Sequence, residues 1–199
     1  MTSQMVNLDK EKFWQYSITR YAKGDVAPLS LLLQDQHGVN VNVLLLVCWC
    51  LENNAVINLM QLKSVIDAAA NSDVQLKLHR EKRKAARPVS KGSNLSQTST
   101  DTSQSGGEHN SEDGAGKSTG KSTANYEALK EQELELEKKQ QEAIVKAFCQ
   151  LDVHRISAPP SGDKSKVLNA SVAALINAYG LRENQEARSL VSQLIAQLP

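Results

Sequence analysis

Apolar residues recur at helical spacing over most of the chain. The densest apolar run covers residues 39–51 and is interrupted only by Asn40 and Asn42. It is shorter than the roughly 20 apolar residues that a membrane span needs, so it predicts a buried helix. A buried strand is the alternative, because valines favour strands. We expect the helix, since no second strand-like segment exists to pair with this one.

The same spacing predicts amphipathic helices on both sides of this run. They cover residues 8–22, 26–37, 57–70, 74–87 and 126–151, with two more after residue 163. Phe13, Ile18 and Tyr21 are expected on one buried face, and Leu29, Leu32 and Leu33 on another. Asn71-Ser72-Asp73 predicts a cap between the helices at 57–70 and 74–87. The chain is therefore predicted to be an all-α helical bundle.

Polar side chains gather at the corner before the central helix. Gly38 is expected to end the preceding helix, because glycine tolerates the left-handed conformation of many helix ends. Asn40 is a candidate N-cap of the central helix. The corner residues are Gln34, Asp35, His37, Asn40 and Asn42. They are interpreted either as caps and hydrogen bonds of the corner or as a polar binding or catalytic pocket, in which only His37 titrates near neutral pH.

Two helices carry opposite charge. The basic residues of the helix at 74–87 are Lys77, Arg80, Lys82, Arg83, Lys84 and Arg87. The first half of the helix at 126–151 is rich in glutamate. Their complementarity predicts an antiparallel charged hairpin resembling a coiled coil. Binding of nucleic acid by the basic surface is the alternative.

Residues 89–124 differ in composition from the rest, because 20 of these 36 residues are Ser, Thr or Gly. Such a segment buries too little apolar surface to order itself, so we expect a disordered linker. It contains GKST twice, at residues 116–119 and 120–123. A phosphate-binding loop needs a glycine five residues before the glycine of GK, where this chain has Ser111 and Ala115, and a preceding strand. The sequence meets neither condition, so we expect no nucleotide at these repeats.

Three units follow from this pattern. They are a helical domain of residues 6–88 with 125–151, the linker at 89–124, and a C-terminal helical hairpin at 163–199. Apolar residues at helical spacing also occur in residues 57–66 of the fourth predicted helix and in residues 190–198 of the last one. The hairpin is expected to pack on the core or on a partner.

The overall composition disfavours several classes of function. The net charge is +1 and aromatic residues make up 4%, which disfavours a general attraction to nucleic acid or membranes and a base-stacking surface. Cys48, Cys50 and Cys149 fit neither zinc-binding nor redox spacing. We expect small core residues in a reducing compartment, no metal and no cofactor. The N-terminus lacks the apolar region of a signal peptide, so a cytoplasmic location is expected.

Residues 13–50 resemble an uncharacterised bacterial family known as a domain of unknown function. Its pattern opens with FW-x-[FY]-S and continues through a tyrosine, LQD-x-x-G, VN-LLL and a tryptophan. The matching residues are Phe13, Trp14, Tyr16, Ser17, Tyr21, Leu33, Gln34, Asp35, Gly38, Val41, Asn42, Leu44, Leu45, Leu46 and Trp49. The resemblance extends over residues 8–151 without the linker. Asn40 stands where the family more often has Asp, which weakens a metal or acid–base role there.

The resemblance implies an all-helical bacterial protein and no particular activity. The first functional hypothesis is a non-enzymatic interaction or adaptor protein with an unidentified protein partner. The alternative is a small-molecule site or an enzyme at the corner of Gln34 and Asn42. The third is nucleic-acid binding between Lys77 and Arg87.

Overall fold

The structure is a computed structural model that describes residues 6–87, 117–155 and 164–199. These residues form seven helices and no named strand, which confirms the all-α prediction. The helices are α1 Lys10–Tyr21, α2 Val26–His37, α3 Val41–Glu52, α4 Leu59–Ala85, α5 Lys117–Cys149, α6 Lys164–Ala178 and α7 Gln185–Ala196. Ala55 and Arg155 make one isolated antiparallel bridge.

Helix α3 is the centre of the bundle, as the apolar run predicts. All but its two end residues are buried. Asn40 caps it as expected, since its side-chain oxygen accepts a hydrogen bond from the Val43 N–H (3.1 Å). Gly38 ends α2 with a φ of 67°, which is the left-handed conformation the sequence indicates. Asp9 caps α1 by accepting from the N–H groups of Glu11 and Lys12.

The predicted apolar faces of α1 and α2 are only partly right. Phe13, Leu29 and Leu33 are buried, but Ile18 and Leu32 are exposed. Helix α1 packs against α3 and α5 through other positions, and the described part of the chain leaves these two side chains at the surface.

The predicted break at Asn71-Ser72-Asp73 is wrong, because α4 is one helix of 27 residues. These polar side chains have other partners. The Ser72 hydroxyl donates to the Ala69 carbonyl within the helix (2.8 Å). Asp73 accepts from the Asn40 side chain (2.8 Å) and pairs with Lys77. Serine and aspartate often cap helices, but here both lie in the interior of a helix.

Helix α5 begins at Lys117, nine residues before the predicted start at Tyr126. The last residues of the predicted linker, from 117 onward, are therefore helical. The rest of that segment, and the Gly116 that begins the first GKST, lie outside the described residues. The second GKST lies in the first turns of α5. The expectation of no nucleotide there stays a prediction.

The C-terminal hairpin packs on the rest of the bundle. Leu175 of α6 and Leu194 of α7 belong to the same hydrophobic cluster as Phe13, Leu46 and Phe148. The Ser171 hydroxyl accepts a hydrogen bond from the Ile57 N–H (3.2 Å). Apolar packing therefore extends from the N-terminal helices into α6 and α7.

None of the described helices combines the length and the apolar character required to cross a membrane.

Candidate functional site

Four neutral amides join the corner before α3 to the middle of α5. We call Asn40, Asn42, Gln140 and Gln141 the amide cluster; all four are buried. The Gln140 side-chain oxygen accepts from Asn42 (2.8 Å) and Asn40 (3.2 Å). Gln141 donates to the Asn42 oxygen (2.8 Å). Because buried amides are stable only when paired, these bonds fix α5 against α3.

Two side chains extend the amide cluster, one in α4 and one directly after α6. Asp73 accepts from Asn40, and the Tyr179 hydroxyl accepts from the Asn40 N–H (3.3 Å). Burial raises the pKa of Tyr179, and the nearby Asp73 carboxylate raises it further, against the lowering effect of the Asn40 N–H. Tyr179 is therefore a neutral hydroxyl over the ordinary pH range.

The other three corner residues lie in separate surroundings. The Gln34 oxygen accepts from the Arg80 guanidinium (2.9 Å). His37 Nδ1 accepts from the Asn184 amide at the start of α7 (3.4 Å). Asp35 is exposed. The structure thus distributes the five residues of the predicted polar pocket among the bundle interior, the charged hairpin, α7 and the surface.

A second polar cluster joins α4 to α5. We call Arg80, Arg83, Glu133 and Glu137 the charged cluster. Arg80 contacts Glu133 (3.3 Å) and Glu137 (3.0 Å), and Arg83 pairs with Glu133. The side chain of Glu133 is 11% exposed and those of Arg80 and Arg83 are 17% and 27% exposed. The pairs run in opposite chain directions, in agreement with the predicted antiparallel charged hairpin.

Two arginines of α4, Arg80 and Arg83, point toward α5 and are mostly shielded from solvent. Of the six predicted basic-surface residues, Arg80 and Arg83 face α5, and Lys77 pairs with Asp73 (3.3 Å). Lys82, Lys84 and Arg87 are exposed. The basic surface is therefore smaller than the sequence suggests.

A third buried polar group lies between α1 and α3. Glu52 accepts from the Tyr16 hydroxyl (2.7 Å) and pairs with Arg20 (2.7 Å). Burial and the neighbouring Glu52 carboxylate raise the pKa of the Cys48 thiol to about 12. Burial likewise raises the pKa of Cys50. Both thiols are therefore protonated core groups, whereas Cys149 is exposed.

Helical spacing indicates the buried positions of Gln140 and Glu133, which were not among the predicted site residues. Gln140 lies four residues before Ile144, which lies four before Phe148, so all three share one face of α5. Glu133 lies one heptad before Gln140 on the same face. The link between Arg20 and Glu52 has no comparable signal, because 32 residues separate them.

Within the described ranges, no three His, Cys, Asp or Glu side chains lie together so that they could hold a metal ion.

The fold is that of an all-α helical bundle. Its central helix is buried, and amide and ionic clusters link the helices around it. Residues 12–104 match the model of a family described as a protein of unknown function (DUF2390). This similarity confirms the resemblance to an uncharacterised family. The match ends at residue 104, before α5, so the predicted extension of the resemblance to residue 151 stays a prediction. Neither a curated protein nor a solved structure matches the chain.

Proposed function

We propose that this chain is a non-enzymatic interaction protein that binds a partner protein across the junction of α1 and α5. The single observation that supports the proposal is an apolar pair, Ile18 and Leu134, exposed at this junction. Their exposed fractions are 49% and 43%.

The register of the two helices brings this pair together. Lys10 pairs with Glu142 (3.4 Å), and the Lys138 ammonium lies over the Trp14 ring at 5.6 Å from its centroid. Both contacts run antiparallel in steps of four residues. Extending this register by one turn, we infer that Ile18 lies opposite Leu134, since side chains four apart share a helix face.

A shallow groove continues from Leu134 toward α4. It has a volume of about 200 Å³ and is lined by Arg83, Lys130, Glu133, Leu134 and Glu137. An apolar pair bordered by charged side chains is the arrangement of an interface with an apolar centre and a polar rim. A partner segment with one large apolar side chain and mixed charges fits this groove.

The test uses full-length tagged protein in extract from cells that produce it. We compare the captured proteins for the unaltered chain, Ile18→Asp, Leu134→Asp and the control Met60→Asp, which introduces the same charge at an exposed residue of α4. We expect at least one protein retained by the unaltered chain and the control and lost from both variants, because a buried carboxylate opposes apolar contact. Capture that is identical for all four proteins excludes this junction, and capture of nothing above background contradicts the proposal.

Two alternatives from the sequence stay predictions. Nucleic-acid binding through Lys82, Lys84 and Arg87 requires an affinity that falls steeply with salt concentration. A small-molecule site at the corner requires a compound that raises the melting temperature of the unaltered chain and not of Asp35→Ala. Titration with labelled DNA and RNA at two salt concentrations and a thermal-shift screen distinguish both from partner binding.

A further inference from the structure

The Arg80 guanidinium links α2 to α5. It donates to the Gln34 oxygen (2.9 Å) and to the Glu137 carboxylate (3.0 Å). Leu31 lies one turn before Gln34, and Leu134 lies one turn before Glu137. Side chains three positions apart are neighbours on a helix surface, so both leucines lie beside this link. Leu31 is 45% exposed and Leu134 is 43% exposed. An exposed apolar surface therefore continues from α5 to α2.

Tyr21 brings the end of α1 to the same place. Burial raises the pKa of the Tyr21 hydroxyl, the nearby carboxylates of Glu137 and Asp35 raise it further, and Arg80 opposes them. The hydroxyl therefore lies within the electrostatic influence of α2, α4 and α5. Ile18 is 49% exposed and lies one turn before Tyr21 on α1. Exposed apolar side chains from three helices thus surround Tyr21. We call them the three-helix surface: Ile18, Leu31 and Leu134.

Asp35 is an unpaired carboxylate beside the three-helix surface. It is exposed and lies one turn after Leu31 on the same face of α2. None of the ion pairs between described residues includes it. The charged cluster pairs within itself, and Lys130 and Lys138 pair with glutamates of α5 (3.1 and 3.0 Å). A partner that covers the three-helix surface therefore also removes water from a carboxylate that has no counter-charge.

We infer that the partner in the proposed function is an amphipathic basic segment, which covers the three-helix surface with apolar side chains and pairs an arginine or a lysine with Asp35. The inference rests on the proposed function, because it extends the same surface from α1 and α5 to α2. A purely apolar or acidic segment leaves the Asp35 carboxylate dehydrated without a counter-charge, which is costly. A basic residue supplies that charge, and its aliphatic stem packs along the apolar side chains.

Selection of a random peptide library, displayed on phage, against the full chain tests the chemistry of the partner. We expect the enriched peptides to share several apolar residues around one arginine or lysine. Against Asp35→Lys, the same library should enrich aspartate or glutamate in place of the basic residue, because like charges across an interface repel. Enriched peptides without a basic residue, the same peptides with both proteins, or no enrichment at all overturn the inference.

The affinity of the most enriched peptide, measured by fluorescence anisotropy, tests the residues of α2. Leu31→Asp and Asp35→Asn should each weaken binding about tenfold. The matched controls, Leu32→Asp and Asp67→Asn, should change the affinity by less than about twofold. Leu32 is also exposed, but it is rotated by about 100° around α2 and away from Gln34, and Asp67 is an exposed carboxylate of α4. Circular dichroism checks that each variant keeps its helices.

Two further variants separate this inference from the proposed function. We expect Ile18→Asp and Leu134→Asp to weaken peptide binding as well. If they abolish it whereas Leu31→Asp and Asp35→Asn leave it unchanged, the partner surface is confined to α1 and α5, and only the inference fails. If none of the four substitutions weakens binding, the proposed function and the inference both fail.

Discussion

Helix α5 meets the rest of the molecule through two polar clusters of different kinds. The amide cluster is neutral, fully buried and linked to α3. The charged cluster is linked to α4 and consists of ion pairs in which Glu133 is buried while Arg80, Arg83 and Glu137 are partly exposed. Water competes for the charged groups and screens them, whereas the amides have no alternative partner inside the core. The neutral cluster should therefore contribute more to stability, although the charged one carries stronger individual interactions.

Removal of Gln140 is expected to have the largest effect. Gln140→Ala leaves the amides of Asn40 and Asn42 without their acceptor and opens a cavity next to Ile144. The free energy of unfolding should fall by about 3 kcal/mol. Urea denaturation measures it, with the exposed Gln132→Ala as control, which should change it by less than about 0.5 kcal/mol. Equal losses in the two variants contradict the role of the amide cluster.

Neutralisation of Glu133 is expected to have a smaller effect that depends on salt. Glu133→Gln keeps the shape of the side chain but removes the charge that Arg80 and Arg83 share. The free energy of unfolding should fall by about 1–2 kcal/mol at low salt, because Glu133 is buried but its two arginine partners are partly exposed. The difference should shrink at 1 M salt, where the Debye length is about 3 Å. A loss in Gln140→Ala that showed the same salt dependence would remove the distinction between the two clusters.

Alkaline pH is expected to act on the amide cluster through Tyr179. The pKa of Tyr179 is raised in the folded protein, so the unfolded chain loses this proton first as the pH rises above about 10. The stabilising contribution is complete below that pH and decreases above it, by up to about 1.4 kcal/mol for each pH unit. Tyr179→Phe should flatten the decline between pH 10 and 11. Chemical denaturation at these pH values measures it, and an unchanged slope contradicts the burial of the neutral phenol.

The exposed pair of Lys10 and Glu142 is expected to have the smallest effect. It also joins α5 to a neighbouring helix, but its side chains are 55% and 61% exposed. Lys10→Ala should change the free energy of unfolding by less than about 0.5 kcal/mol at any salt concentration. A loss as large as that of Glu133→Gln would show that partial burial does not set the strength of the charged cluster.

The helical signals that depend on neighbouring residues were predictable. The N-cap Asn40 and the left-handed Gly38 follow from side-chain chemistry within a few positions, and the structure confirms both. The complementary charge of two segments was likewise sufficient to predict that α4 and α5 pair. These are statements about local structure or about whole segments.

Features that depend on distant partners were not predictable in the same way. Asp73 looks like part of a helix break because its partner Asn40 is not visible in the local sequence. Ile18 fits an apolar stripe, but only the packing of α1 against its neighbours determines which part of that stripe is covered. The corner residues likewise have separate surroundings, because Gln34 contacts α4, Asn42 contacts α5 and His37 contacts the start of α7.

The position of Gln140 and Gln141 has a consequence for the order of folding. They pair with Asn40 and Asn42 across about a hundred residues, and they lie outside the matched region of residues 12–104. While a ribosome makes the chain from its N-terminus, α3 is complete long before these glutamines emerge. The asparagines must remain hydrated until then, which delays dry closure of the core. We therefore expect docking of α5, which closes this long loop, to be a late step in folding.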